Sequence, residues 1–95
     1  MTYRNRKLLD LAHDMPCMAR FYHVCDGLSE PAHSDQLRHG RGLGHKTGDM
    51  WFSAMCHNAH MALDTMTRET KTAEWERAHI RTMEWLWENG KVRVA

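Results

Sequence analysis

Residues 49–63 read Asp49-Met50-Trp51-Phe52-Ser53-Ala54-Met55-Cys56-His57-Asn58-Ala59-His60-Met61-Ala62-Leu63. How this stretch folds decides what the rest of the chain can be. Read as one piece, Asp49 is an N-cap whose carboxylate accepts from the first free N–H groups of a helix running from Met50 to about Leu63. Trp51, Ala54, Met55, Met61 and Ala62 supply its apolar surface, though not as a clean stripe. On that helix Cys56 and His60 are i, i+4 and share a face, as do His57 and His60 at i, i+3.

Working outward, the preceding segment Arg38-His39-Gly40-Arg41-Gly42-Leu43-Gly44-His45-Lys46-Thr47-Gly48 holds four of the chain's six glycines, three basic residues and no acid. It reads as an exposed basic loop rather than a regular element. Before it, residues 18–24 are rich in aromatic and β-branched types and read as a strand, Asp26-Gly27 as a turn, and Ala32-His33-Ser34 as a second strand pairing back on the first. At the amino end, residues 4–13 read as a short helix with Leu8, Leu11 and Ala12 on one face, stopped by Pro16. After residue 63, Thr67 caps a long helix that Glu69 favours and Gly90 ends, with Trp75, Ile80, Met83, Leu86 and Trp87 as its core face. Lys91 to Val94 alternates polar and apolar and reads as a terminal edge strand. The resulting class is α+β: a hairpin followed by a helix, the outline of a small ββα-metal domain, with a short N-terminal helix and a long C-terminal helix, occupying residues 1–95 as a single domain.

Composition narrows the function classes. At 95 residues the core is small and needs a metal, a partner or some other staple. No apolar run is long enough for a membrane span, so no membrane association is expected. No basic stretch leads into an apolar one, so no secretion signal is expected either. The three thiols Cys17, Cys25 and Cys56 are an odd count, which argues against a disulfide scaffold and for a reducing, cytoplasmic compartment. Cys17 and Cys25 lie eight apart, wider than a usual zinc-knuckle pair, and Cys56 stands beside two imidazoles. That pattern suits a zinc site of three Cys and one His, or three ordinary core thiols, and spacing leaves both open.

The chain carries eight His, five of them between positions 31 and 60. Metal-assisted phosphodiester hydrolysis needs a divalent ion, a base that titrates near neutrality, and cations that hold the phosphate backbone. His33 is the candidate base, His60 a candidate metal ligand, and Arg38, Arg41 and Lys46 candidate phosphate-binding residues. Any one of these His taken alone is more often a spectator.

In order along nearly the whole chain, Pro16-Cys17-Met18-Ala19-Arg20, Val24-Cys25-Asp26-Gly27, Ala32-His33-Ser34-Asp35-Gln36, the basic Gly segment, Cys56-His57-Asn58-Ala59-His60 with Leu63-Asp64, Trp75-Glu76-Arg77-Ala78-His79-Ile80-Arg81-Thr82 and Gly90-Lys91-Val92 resemble the small prophage-encoded nucleases of the HNH (ββα-metal) type, the YbcO-like family of lambdoid phages. The resemblance implies a zinc-stapled ββα fold, a DNA endonuclease acting in phage recombination or DNA processing, Mg²⁺ or Mn²⁺ for catalysis, and a bacterial host cytoplasm. By the same resemblance Cys17, Cys25 and Cys56 match structural zinc positions, His60 the helix His that holds the catalytic metal, and His33 the strand His that acts as base. Ala59 stands where the family's fourth Cys falls, and the middle Asn of the HNH name has no counterpart. The fourth zinc ligand is then His57, a water, or a diverted His60. Because Cys56 and His57 point about 100° apart on a helix, the expectation is less than one tightly bound zinc per chain. Two other functions are kept beside the nuclease. One is a non-catalytic nucleic-acid- or partner-binding module on the same fold. The other is a structural accessory protein in a phage complex, bound through the Trp-rich last helix; the partners expected are DNA, with a phage protein or a homo-oligomer beside it.

Overall fold

The computed structural model describes residues 4–34 and 48–92. Five elements follow in order: α1 (Arg6–Asp10), β1 (Ser29–His33), β2 (Phe52–Cys56), α2 (His57–Asp64) and α3 (Arg68–Glu88), with a 3-10 turn over Leu11–Asp14 continuing α1. The molecule is a small α+β fold in which a two-stranded antiparallel sheet packs against α3. Among the described residues no helix is long and apolar enough to cross a membrane.

The 49–63 stretch is not one helix. Its first half is β2 and its second half is α2, and Cys56 makes the junction by accepting from the Ala59 amide at 3.4 Å as the true N-cap. All five residues of β2 are buried. A strand buried on both faces has no alternation, so its apolar run looks the same as a buried helix segment. Asp49, the expected cap, is buried instead and ties down the amino end of the chain.

The register sets Ser29 opposite Cys56, Pro31 opposite Ala54 and His33 opposite Phe52. Pro31 is tolerated because Ala54 spends both backbone groups on the other side. The Ala54 N–H donates to Thr82 Oγ1 (3.0 Å), and its C=O accepts from the Met18 amide (2.8 Å). Phe52 and Cys56 point the same way. The Phe52 carbonyl accepts from His79 Nδ1 (2.7 Å), and the Cys56 amide donates to Cys17 Sγ (3.3 Å). The outer edge of β2 is therefore closed by side chains of α3 and by the 17–18 segment rather than by a third strand, which removes an edge open to aggregation.

Residues 18–24 are not a strand. The fourteen residues from Met15 to Leu28 contain no helix or strand, and β1 pairs with β2 rather than with them. The turn at Asp26-Gly27 is present, with Gly27 at φ +84° and the Asp26 carboxylate accepting from the Leu28 amide (3.1 Å). The 4–13 helix is shorter, with Asn5 capping it through Leu8 N–H. In α3 the Thr67 cap and the Gly90 stop hold, the latter through the left-handed backbone that favours glycine after a helix. Gly90 has φ +66°, and the Lys91 amide donates back to the Leu86 carbonyl (2.9 Å). Trp75 and Leu86 are core residues, Met83 is half-buried, but Ile80 and Trp87 are 59% and 51% exposed. Lys91 and Val92 form no strand, and residues 93–95 of the expected edge strand lie outside the described residues.

The core centres on Phe52, Met55, Leu63, Trp75 and Leu86. Three buried polar contacts fix α3 on the sheet. Trp75 Nε1 donates to the Ala32 carbonyl (2.9 Å), Ser53 Oγ to the Trp75 carbonyl (3.0 Å), and Thr82 Oγ1 relays the Ala54 N–H to the Ala78 carbonyl (2.8 Å). Each satisfies a group that would otherwise be stranded away from water.

Candidate metal centre and the adjoining histidine cleft

Cys17, His23, Cys25 and Cys56 each bring one donor atom to within 4.8 Å of the others. Cys17 and Cys25 come from the irregular 15–28 segment on either side of His23, and Cys56 from the β2–α2 junction. Cys17 Sγ lies 3.7 Å from His23 Nε2. His23 Nδ1 donates to the Phe21 carbonyl at 2.8 Å. That bond puts the ring hydrogen on Nδ1 and leaves the Nε2 lone pair facing the thiols. No disulfide links the cysteines.

The surroundings favour thiolate. Burial pushes Cys56 up, but amide donation from Asp26 and Ala59, with contacts from Cys25 and Cys17, more than offsets it and holds Cys56 below the ordinary thiol value. Cys56 also caps α2, where the helix dipole stabilises negative charge. Cys17 is pushed up, first by burial and further by the neighbouring Cys56. Two thiols of opposite bias sharing a site are a pair that a cation would reconcile, because metal binding removes the proton from each. Three sulfurs and an imidazole could hold a metal ion, and that donor set is consistent with a structural zinc.

His57 does not supply the fourth donor. It is exposed, and its Nδ1 meets Glu30 Oε1 at 3.2 Å. His60 is not diverted to the thiols either, since its Nδ1 meets Glu30 Oε2 at 2.8 Å. Ala59 is fully buried, and its amide donates to Cys56 Sγ. With His23 in the fourth place, the ground for expecting less than one zinc per chain is removed. Sequence pattern does not single out His23, because it lies inside the expected strand. The available signal is Cys17-x5-His23-x-Cys25, a donor set closed by the Asp26-Gly27 turn.

On the other side of β1, a cavity of about 180 Å³ opens between the sheet and α2–α3. His33 and His60 both line it, with Asp64, Lys71 and Trp75. His60 donates from Nδ1 to Glu30, because a carboxylate can only accept, and its Nε2 is thereby an acceptor. Burial raises Glu30, but hydrogen bonds from His60 and His57 outweigh it and keep the carboxyl ionised. His33 Nε2 likewise donates to Asp49 Oδ1 at 3.3 Å, freeing Nδ1. Asp49 also accepts from the Asn5 amide (2.6 Å) and from Arg4 (3.1 Å). These contacts overcome its burial and hold it below the ordinary carboxylate value. Asp64, one turn beyond His60, pairs with Lys71 at 3.1 Å. Among the described residues, Cys17, His23, Cys25 and Cys56 are the one group of three or more such donors that converges.

Arg38, Arg41 and Lys46 lie outside the described residues. The two ends of their segment are anchored beside His33: the Ser34 amide donates to the Trp51 carbonyl (2.9 Å), and the Trp51 amide to the Gly48 carbonyl (3.0 Å).

No family model, no curated protein and no solved structure matches the chain.

Proposed function

We propose that the protein is a zinc-stapled ββα domain that hydrolyses phosphodiester bonds of phage or prophage DNA in the cleft between β1 and α2. The observation that supports this best is that His33, at the end of β1, and His60, on α2, open on one cavity, and that the stretch holding Arg38, Arg41 and Lys46 is joined to the described residues at Ser34 and Gly48, beside His33. The staple is zinc on Cys17, His23, Cys25 and Cys56. In the cleft His60 Nε2, and Asp64 one turn on, are the side chains that would hold Mg²⁺ or Mn²⁺. When bound, that ion neutralises charge developing on the phosphate.

His33 is the general base. Its Nδ1 takes a proton from the attacking water, and the Asp49 carboxylate stabilises the resulting imidazolium, as a carboxylate does behind any catalytic imidazole. The new bond is from water oxygen to phosphorus, the bond to the leaving sugar oxygen breaks, and that oxygen is protonated by solvent. Arg38, Arg41 and Lys46 would hold the phosphates on either side.

The test is nicking of supercoiled plasmid with added Mg²⁺ or Mn²⁺. His33→Ala should lower the rate by about 10²–10⁴-fold, the usual contribution of a general base. His60→Ala should raise the metal concentration required. Equal cleavage by wild type and both variants would remove the catalytic assignment. A second reading is DNA binding without cleavage, favoured by the absence of a three-donor cluster in the cleft among the described residues. It predicts salt-sensitive binding and no nicking with any metal.

A further inference from the structure

The three thiols of the candidate metal centre do not meet solvent equally. Cys56 is buried at the β2–α2 junction, Cys17 is half-buried, and Cys25 is exposed. The coil around Cys25 is open as well, with Tyr22, Val24 and Leu28 all exposed. A small oxidant in water therefore meets Cys25 first. Oxidation of a cysteine follows its exposure and its thiolate character, and a cysteine that ligates a metal does so as thiolate.

What an oxidised Cys25 does next depends on its neighbours, because a sulfenic acid with a second thiol in reach condenses to a disulfide. The sulfurs of Cys17, Cys25 and Cys56 lie within 4.8 Å of one another. The turn that carries Cys25 is fastened to Cys56, whose sulfur is contacted by the Cys25 side chain and by the Asp26 amide. Cys17 is fastened elsewhere. Its Sγ accepts from the Cys56 amide (3.3 Å), and the next residue, Met18, donates to the Ala54 carbonyl (2.8 Å). Swinging Cys17 towards Cys25 would pull it off the closed edge of β2. Cys25 itself sits in coil, two residues before Gly27 at φ +84°. Closing to a bond of ~2.0 Å asks only for movement of that coil side chain.

We propose that Cys25 is a peroxide-oxidation site and that Cys56 resolves it, forming an intramolecular Cys25–Cys56 disulfide that expels the metal. The proposal rests on the zinc staple and not on DNA cleavage. The Cys25 thiolate attacks one oxygen of hydrogen peroxide. An S–O bond forms, the O–O bond breaks, and the departing hydroxide takes up a proton as water. The Cys56 thiolate then attacks the Cys25 sulfur. The S–S bond forms, the S–O bond breaks, and a second hydroxide leaves as water. The two sulfurs together give up two electrons, and the peroxide receives them. Cys17 and His23 remain, and two donors do not fill a four-coordinate zinc site.

The test adds hydrogen peroxide to the zinc-loaded full chain and follows three readouts: zinc released to a chromogenic chelator, intact mass, and a non-reducing peptide map after alkylation. Each chain should release its zinc, lose the mass of two hydrogens, join Cys25 to Cys56, and leave Cys17 as the thiol that takes the alkylating agent. Dithiothreitol with added zinc should restore the starting state. Cys25→His offers two Cys and two His, so it should keep zinc but release it at least about tenfold more slowly under peroxide. Cys17→His should keep zinc and still form the Cys25–Cys56 link. A disulfide to Cys17, a sulfinic acid at Cys25 with no disulfide, cross-linked chains, or Cys25→His that loses zinc as fast as wild type each overturn the proposal. Zinc content before peroxide separates this inference from the staple it rests on. Stoichiometric zinc with no Cys25–Cys56 link afterwards overturns the proposal and leaves the staple standing. A chain that binds no zinc tells against the staple, and the same peptide map then decides: the link upholds the oxidation site, and its absence overturns it.

Discussion

Replacing His23 by Ala should strip the metal from the protein, and replacing His57 by Ala should not. The magnitude follows from the segment that a metal on the Cys17, His23, Cys25 and Cys56 donors would hold. Met15 to Leu28 is fourteen residues without a helix or strand. At ~1 kcal/mol per residue, fixing their backbone costs about 14 kcal/mol. Of their side chains, Met15, Met18 and Ala19 are the buried apolar ones. Together these are worth about 4 kcal/mol, at ~1.5–3 kcal/mol for a large side chain. Apart from the contacts made by the thiols themselves, three long-range hydrogen bonds run from Met18 N–H to Ala54, from Arg81 to the Met18 carbonyl and from Asn58 to the Val24 carbonyl. They add about 3 kcal/mol at ~1 kcal/mol each. The shortfall is about 7 kcal/mol, and a structural zinc supplies ~10–16 kcal/mol. A domain of this length has ~5–14 kcal/mol of stability in all. The zinc-free chain should therefore be unfolded or nearly so at room temperature. Losing one ligand should weaken metal binding at least ~100-fold, about 2.7 kcal/mol. The assay is metal content per chain with thermal melts by circular dichroism, run with zinc and after chelation. Cobalt replacement should give the visible bands of a tetrahedral thiolate site. His23→Cys should keep the metal. One melting curve with and without chelator would refute the reasoning, and so would metal loss on His57→Ala with retention on His23→Ala.

Other expectations concern the parts that hold the cleft. Thr82→Val keeps shape but strands the Ala54 amide on the closed edge of β2. It should lower stability by about 1–3 kcal/mol in urea titrations. Phe52→Ala opens the centre of the core. It should lower stability by about 3–5 kcal/mol in the same measurement. Asp49→Asn removes a buried carboxylate that three donors hold ionised. In wild type its depressed value adds stability that is full above the ordinary value of 3.8 and is lost as pH falls through the lower folded value, so the acid limb of a pH–stability curve should flatten in the variant. His79, between Trp51 and Trp75, is held below its ordinary 6.5 by burial, against the raising effect of its bond to Phe52. The unfolded chain therefore binds that proton more readily, and stability should drop as pH falls below about 6.5 until the folded value is reached. His79→Gln should remove that step.

Legibility follows solvent contrast. The long last helix is readable because α3 has one face on the sheet and one in water, with a Thr67 cap and a Gly90 stop. The pairing of β1 is not, because β2 is buried along its whole length and its outer edge is closed by Thr82, His79 and the Met18 backbone, groups that no strand pattern announces. Asp49 reads as a cap because a carboxylate before an apolar run usually is one. Its actual partners, Arg4, Asn5 and His33, are 45, 44 and 16 residues away. At the metal centre the thiols are readable by count and His23 is not, since a ligand in a coil has no periodicity to betray it. His33 and His60 come together as the hairpin-and-helix outline requires, but on a hairpin whose strands are separated by eighteen residues rather than by Asp26-Gly27.

The two sites are mechanically one. Cys56 is both a donor of the candidate metal centre and the residue that starts α2, and His60 stands one turn along the same helix. The position of His60 relative to His33 thus depends on where the metal centre sets the first turn of α2, with Glu30 as the only strap from β1 to His57 and His60 among the described hydrogen bonds. Glu30→Gln should loosen that strap without touching the thiols. Zinc content should stay at one per chain and the melting curve should shift by no more than about 1 kcal/mol, the usual worth of an exposed charge pair, while the metal requirement for plasmid nicking rises. If Glu30→Gln released zinc, the centre and the cleft would not be separable by a single side chain, and α2 would have to be held by the carboxylate rather than by Cys56.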